Sequence, residues 1–546
     1  MTILTAKTNA AARHLLHAIA ITSLLLILSI AASAQSKPTD GSTPLGLQAG
    51  APDGSYSLSG FDNVNLYDGA LNFRLPLLKV GGRGGAGDSI FLAIERHWMA
   101  EYYDDGQGNF FNYAVDGREE EIKPGYGPGV MAERYGGVGP RVCPTPVGGG
   151  YDPQDRYTTT VTRLSFTAPD GTETTFLDQV SGGVGKPGVC QSYTGPSVNG
   201  FDRGTVFVSS DGSMTTFVSD AHVYDQAGIG VPELYTVSGY MLLRDGTRYR
   251  IDNGLVSWIR DRNGNRITFT YDANSRVTSI TDSLNRQVTI SYDVAEGGQY
   301  GTCDHITYTG FGGASRLIRV SKTNLGSALR SGYALTPTAY LFADMQGSTT
   351  TNYDPTVVSS VWLPDSDGVT RRYRFYCNNY GELARVELPT GGAYEYDYGG
   401  GTTNSDTGGV IFEGSIKPQI YRRVVERRVY ADGANLTSRM TYSVPETGDS
   451  TGTSATTVGY VTTTQYDSTG ALLTKSDHHL YGSGAANTLL QGPLTLTYWE
   501  DSKETETDAY DANGTTVLRK TVNTWQAGTA FGSNGNIVET DVMVEP

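Results

Sequence analysis

The chain has 546 residues and a formal net charge of −16. Its 69 glycines and 22 prolines stay below the roughly 25–30 % combined share that marks low-complexity disorder. Charged residues are only 18 %, and 35 tyrosines outnumber 16 phenylalanines and 5 tryptophans together, which excludes coiled coils and charged disordered tails. The acidic balance leaves no concentrated positive charge for a nucleic-acid partner.

In chain order, residues 1–34 carry Lys7 and Arg13, an apolar stretch from Leu15 to Ile30, and then Ala32-Ser33-Ala34. This pattern predicts a signal helix cleaved before Gln35, and hence a secreted, periplasmic or cell-envelope protein with no membrane span after cleavage. The alternative, an uncleaved anchor, has an apolar run short for a bilayer span of about 20 residues.

Beyond the signal the composition predicts an all-β fold, because β-branched and aromatic side chains fit a pleated surface and Gly supplies the positive φ of tight turns. Residues 35–161 read as a Gly/Pro-rich β-region. Residues 162–398 read as a strip of antiparallel hairpins, 399–409 as a linker or long loop, and 410–546 as a degenerate β-repeat region. Turn dipeptides such as Asp170-Gly171, Asp245-Gly246, Asn253-Gly254 and Asn263-Gly264 separate runs of period-two alternation such as Gln287 to Tyr292. Ser327 to Gln346 is the best helical candidate outside the signal.

Tyr-Asp dipeptides occur ten times, several-fold more than chance pairing gives. Two copies, Ile259-Arg260-Asp261 through Tyr271-Asp272 and Ile280-Thr281-Asp282 through Tyr292-Asp293, align position by position at an offset of 21 residues. A further copy runs from Tyr376 through Gly381 to Tyr396-Asp397. Each unit is a strand ending in Tyr-Asp, a turn, a second strand and another turn, the latter marked by Gly264 in the first copy. One such hairpin cannot bury its apolar face alone, so units must add side by side. The ring of Tyr271 or Tyr292 would cover the neighbouring strand, and the carboxylate of Asp272 or Asp293 would accept N–H groups of the following turn. These roles are structural.

At these residues the sequence resembles the YD-repeat, or Rhs, family, whose members include bacterial polymorphic toxins, toxin-complex components and teneurins. Asn63 to Gly69, Leu71 to Leu77 and Gly81 to Gly85 are similar to the N-terminal part of exported Rhs proteins. The resemblance implies a strip of β-hairpins forming part of a β-shell. In this chain Ser275 stands where the family usually has Gly, and the array is interrupted from Glu296 to Asn352.

Candidate chemistry has a plain structural reading beside each functional one. Gly82 to Gly87 matches GxGxxG, but a strand-like run follows where a dinucleotide site needs a helix, so it reads as a hairpin loop. Asp365 and Asp367, and the turn Asp261 to Asn265, offer oxygens of the kind calcium takes, without the spacing of an EF-hand; turn formation explains them equally, and no other cofactor is expected. Cys143, Cys190, Cys303 and Cys377 allow three disulfide connectivities, with proximity favouring Cys143 to Cys190 and Cys303 to Cys377. His97, His222, His305, His478 and His479 form no catalytic motif, and no catalytic residue is assigned. Trp98 to Tyr103, Trp499 and Trp525 could stack on sugars, against core packing as the alternative. The expected function is an exported structural or binding protein recognising a glycan or a cell-surface protein. The competing readings are a component of an Rhs toxin-delivery shell with an Rhs partner chain, and a secreted hydrolase.

Overall fold

The computed structural model describes the chain between Ser55 and Val544, apart from 58–60, 68, 97, 105–109, 118–121, 123, 148–149, 183–200, 210–212, 225–235, 344, 346–348, 365–370, 401–409, 413–418, 444–445, 448–457, 482–502 and 528–534. The signal segment, Cys190, Asp365, Asp367, Trp499 and most of the expected linker lie outside the described residues, as does the side chain of Cys143.

Antiparallel hairpins follow one another through the chain. The long pair Val130–Val147 and Gly150–Thr167 leads through Glu173–Asp178, Asp202–Ser209, Thr216–Tyr224, Gly239–Leu242 and Arg248–Asp252 to Leu255–Arg260. There Leu255 pairs back with Val130, and the Met131 N–H donates to the Gly254 carbonyl at 2.8 Å. That contact closes the sheet on itself. From Leu255–Arg260 the sheet also runs on, hairpin by hairpin, to Gly535–Val544.

Period-two alternation decides which face is buried. In Arg266–Tyr271 the side chains of Ile267 and Phe269 turn inward. Phe269 faces Ile280, Ile280 faces Val288, Ile290 faces Ile306 and Ile306 faces Ile318 across successive strands. The register thus lays an apolar row across the sheet within one core cluster. Each such side chain contributes about 1.5–3 kcal/mol when fully buried, a gain no isolated hairpin could make.

Two smaller sheets accompany the strip. The Gly-rich N-terminal region supplies Ser55–Ser57, Asp62–Asn65, Leu71–Gly81 and Gly87–Ala93. The other joins Val410–Phe412 and Gln419–Tyr421 to Trp98–Asp104 and Phe110–Asp116. Ala49–Pro546 is one compact unit. Strand Gly150–Thr167 crosses 161/162 and strand Ala393–Gly399 crosses 398/399, so the composition shifts fall inside strands.

The helix expected between Ser327 and Gln346 shrinks to Thr338–Leu341, preceded by a 3-10 turn at Leu325–Ser327. Gly332 and Pro337 interrupt the run, and Pro337 lacks the N–H a helix interior needs. Leu341, Phe342 and Met345 instead pack with Trp98, Tyr380 and Ile420. Among the described residues no helix is long and apolar enough to cross a membrane.

Candidate functional site

One turn design recurs along the strip. The Asp272 N–H donates to the Arg276 carbonyl at 2.9 Å and the Ser275 N–H to the Asp272 carbonyl at 3.1 Å. Asp272 Oδ1 accepts the N–H groups of Asn274 and Arg276, each at 2.9 Å. Asp261, Asp282 and Asn378 repeat this pattern. The fourth residue of each turn is left-handed: Gly264 at φ +89°, Ser275 at +63°, Asn285 at +59° and Gly381 at +77°. This is the three-residue hairpin loop that ends in a left-handed bulge. Burial pushes the Asp282 carboxyl up, but the Arg286 N–H, the Arg286 guanidinium and the Leu284 N–H outweigh it and hold the group below its ordinary value. Asp261 accepts from the N–H groups of Asn263 and Asn265, the Asn265 amide and the Gly85 N–H. Its oxygens thus serve the turn and hold the Gly85 N–H.

The repeat tyrosines act as clasps. Tyr271 donates its hydroxyl to the Val256 carbonyl at 2.7 Å, and Tyr292 to the Val277 carbonyl at 2.8 Å. In the Gly381 copy, the residue making this contact is Tyr398, which donates to the Leu383 carbonyl at 2.9 Å. Tyr396 instead donates to buried Asp62 at 2.7 Å. Asp397 caps no turn; it is held by Arg330 and Arg428. Asp293 is itself left-handed at φ +56° and pairs with Lys322 and Arg276. The dipeptide thus misplaces the third copy by two residues, and Tyr292-Asp293 keeps the clasp but not the cap.

The N-terminal sheet docks on these repeat elements. The Arg83 N–H donates to Ser283 Oγ at 2.7 Å and the Gly85 N–H to Asp261 Oδ2 at 2.9 Å, so two turns one repeat apart grip the loop Gly81 to Gly87. A Cβ on Gly82 would lie 2.1 Å from Ser283 Oγ, and one on Gly84 2.1 Å from Asp261 Oδ2. Close approach between backbone and turn, not phosphate binding, is what these glycines allow. Farther along, Asp62 accepts from Tyr396 and from Arg427 at 2.7 Å each, with both partners buried. Arg423 donates to the Leu66 and Tyr67 carbonyls, and the Val424 N–H to the Gly69 carbonyl.

Two clusters gather metal-ligating atoms among the described residues: Glu296 with Cys303 and His305, and His479 with Glu506 and Asp508. In the first, Cys303 Sγ lies 3.3 Å from His305 Nε2 and donates to Glu296 Oε2 at 3.4 Å, while His305 Nε2 lies 3.1 Å from the same oxygen. Arg319 donates to both oxygens of Glu296, at 2.7 and 2.8 Å, and holds that carboxyl down at about 2. Burial, then the Glu296 contact, pushes the Cys303 thiol up to about 11. A thiol so held is no activated nucleophile. In the second cluster Lys520 Nζ already touches both Glu506 and Asp508, at 2.6 and 3.4 Å.

The remaining candidates resolve more plainly. Cys303 and Cys377 are buried free thiols; three strand-to-strand steps separate Gly301–Thr309 from Arg372–Cys377, about 14 Å at roughly 4.8 Å a step and beyond disulfide reach. The favoured Cys303 to Cys377 pairing is therefore not made. Trp98 is buried against Phe342 and Tyr353, not exposed for a sugar, and Trp525 donates to the Glu504 carbonyl. His478 pairs with Glu504 at 2.8 Å and His222 with Asp202. The cavity bounded by Arg96, Trp98, Glu382, Leu383, Tyr398 and Arg422 measures about 50 Å³, room for a few waters only. The Glu-Cys-His cluster escaped sequence reading. Cys303 and His305 share a face at period two, but only the bulge between Ser291 and Val294 puts Glu296 on that face.

Residues 252–294 match the family described as RHS Repeat. Among solved structures, the chain is similar to a porin-like protein from Bacteroides uniformis at 10 % identity and a TM-score of 0.18, over 56 % of this chain and 99 % of that one. It is similar to TcdB2-TccC3 at 11 % identity and a TM-score of 0.13, over 87 % of this chain and 25 % of that one. TcdB2-TccC3 without its hypervariable C-terminal region gives 10 % and 0.15 over 87 % and 24 %. The chain spans about a quarter of these latter two, and no curated protein matches it. The matched span contains Gly254, Val256, the turns at Asp261, Asp272 and Asp282, and the clasps of Tyr271 and Tyr292, so this segment of the chain is an RHS repeat.

Proposed function

We propose that the chain is an exported scaffold: a repeat strip that wraps and holds its own N-terminal sheet and presents the assembly at the cell surface or to an Rhs-type partner chain. The observation behind this reading is the use of the repeat's polar groups. Asp261, Ser283 and Tyr396 bind the N-terminal sheet, Asp272 and Asp282 close the turns, and Tyr271 and Tyr292 tie each strand to the one before it.

The test joins two measurements on the full chain. Limited proteolysis followed by mass spectrometry should leave residues near 61–93 bound to fragments of the strip after loops are cut, and Arg427→Ala should release them. Turnover of a glycan, ester or peptide that a single His or carboxylate substitution abolishes would replace the scaffold with the secreted-hydrolase reading. Glycan binding is a narrower form of the proposal. It would rest on half-buried Trp525 rather than on Trp98, and an array of cell-wall and exopolysaccharides tests it through Trp525→Ala.

A further inference from the structure

On the face opposite the main core, strand Gly301–Thr309 presents Cys303 and His305 side by side, and the neighbouring strand Gln287–Gly297 delivers Glu296 through its bulge. Arg319 is the cross-strand partner of His305. Its guanidinium stacks 4.4 Å over the Tyr300 ring, which in turn meets Trp362 edge-on at 5.0 Å. We propose that Glu296, Cys303 and His305 form a site for a zinc-class divalent metal, with Glu296 Oε2, Cys303 Sγ and His305 Nε2 as ligands and Arg319 as the residue that positions the carboxylate.

Geometry carries the inference. A tetrahedral zinc with ordinary Zn–S, Zn–N and Zn–O lengths places its ligand atoms about 3.3–3.6 Å from one another. Here the three separations are 3.1, 3.3 and 3.4 Å, so a few tenths of an ångström of opening accommodates the ion. Mixed sulfur, nitrogen and oxygen donors suit zinc or cobalt rather than calcium or magnesium. Each carboxylate oxygen has two lone pairs; Arg319 takes one on each, and Oε2 keeps the one that faces Cys303 and His305. This hydrogen bonding from behind is what fixes a ligating carboxylate. His479, Glu506 and Asp508 make the informative contrast, because the Lys520 ammonium already touches both of their carboxylates.

Binding replaces the Cys303 thiol proton, so one proton leaves for each metal bound. Three protein ligands leave a fourth position, on the side where Glu296 and His305 are 26 % and 21 % exposed. That position would be taken by water or by an oxygen or nitrogen donor from a partner.

The experiment uses the purified full chain, reduced and stripped of metal, titrated with Co²⁺ and then Zn²⁺. The expected result is one cobalt per chain, with thiolate-to-cobalt charge-transfer absorption and the strong visible bands of a tetrahedral ion, displaced by one equivalent of zinc. Cys303→Ser should abolish the charge-transfer band, and the more exposed Glu296→Gln should weaken cobalt binding at least tenfold with an unchanged circular dichroism spectrum. A folded wild-type chain that takes up no cobalt at micromolar concentration overturns the proposal. A thiolate band that survives Cys303→Ser, or binding unaffected by Glu296→Gln, overturns it as well.

Discussion

Tyr398 donates its hydroxyl to the Leu383 carbonyl across fifteen residues of chain, the interval at which Tyr271 meets Val256 and Tyr292 meets Val277. Gly381 sits seventeen residues before Tyr398, as Gly254 does before Tyr271 and Ser275 before Tyr292, and all three are left-handed. The repeat is therefore defined by a clasp between a strand tyrosine and the start of the strand immediately upstream.

From this it follows that two neighbouring tyrosines respond differently to loss of the hydroxyl. Tyr398→Phe and Tyr271→Phe should each cost about 0.5–1.5 kcal/mol, the worth of one neutral hydrogen bond. Tyr396→Phe should cost about 1.5–3 kcal/mol, because it removes a donor from the buried carboxylate of Asp62. Urea unfolding of the three variants checks the order.

Ser275 holds a left-handed conformation that L side chains reach at a cost of about 1–2 kcal/mol, and Gly254 and Gly381 occupy the matching place in the other two clasp units. Ser275→Gly should raise stability by about 1 kcal/mol. Asp282→Ala should lower it by about 1–2 kcal/mol, because two backbone N–H groups lose their acceptor. Asp282→Asn should recover most of that, since Asn378 makes the same turn. Thermal melts rank the three.

The grip on the N-terminal loop gives a test with its own control. Gly84→Ala adds a methyl 2.1 Å from Asp261 Oδ2 at φ +70°, whereas the nearest atom to a Cβ on Gly85 lies 3.9 Å away. Gly84→Ala should open the loop to proteolysis and cost more than about 1 kcal/mol. Gly85→Ala should leave cleavage rates near wild type.

Asp88 supplies a pH dependence. Burial pushes its carboxyl up to about 7, against a lowering by the Ser89 N–H, and among the described residues one of its buried oxygens finds no hydrogen-bond donor. The folded chain keeps this proton between the unfolded value near 4 and about 7, so stability falls as pH rises through that window. The loss, of order 2–4 kcal/mol, is complete above about pH 7. Asp88→Asn should flatten the profile and be more stable than wild type at pH 8; chemical unfolding at pH 4.5, 6 and 8 measures it.

The turns and the all-β character were legible because their causes are local. Asp272 and Ser275 lie three residues apart, and the same side chain that predicts the turn closes it. The third repeat copy was misread because Tyr396-Asp397 matches the dipeptide while Tyr398 has the right distance to Gly381, a distinction that appears only when hydroxyl partners are known. The disulfide expectation failed for a related reason: Cys303 and Cys377 are near in sequence, but the antiparallel register sets them three strands apart.

By itself the sequence determined the period of the strip, the turn chemistry, and which face of each strand is apolar, since all of these follow from contacts within a hairpin. Only the tertiary structure decided what the repeat holds. Asp62 meets Tyr396 across 334 residues and Gly85 meets Asp261 across 176, pairings that no local preference encodes. Glu296 reaches Cys303 and His305 because a bulge shifts one strand by a residue, and such a shift is set by the packing of the whole sheet.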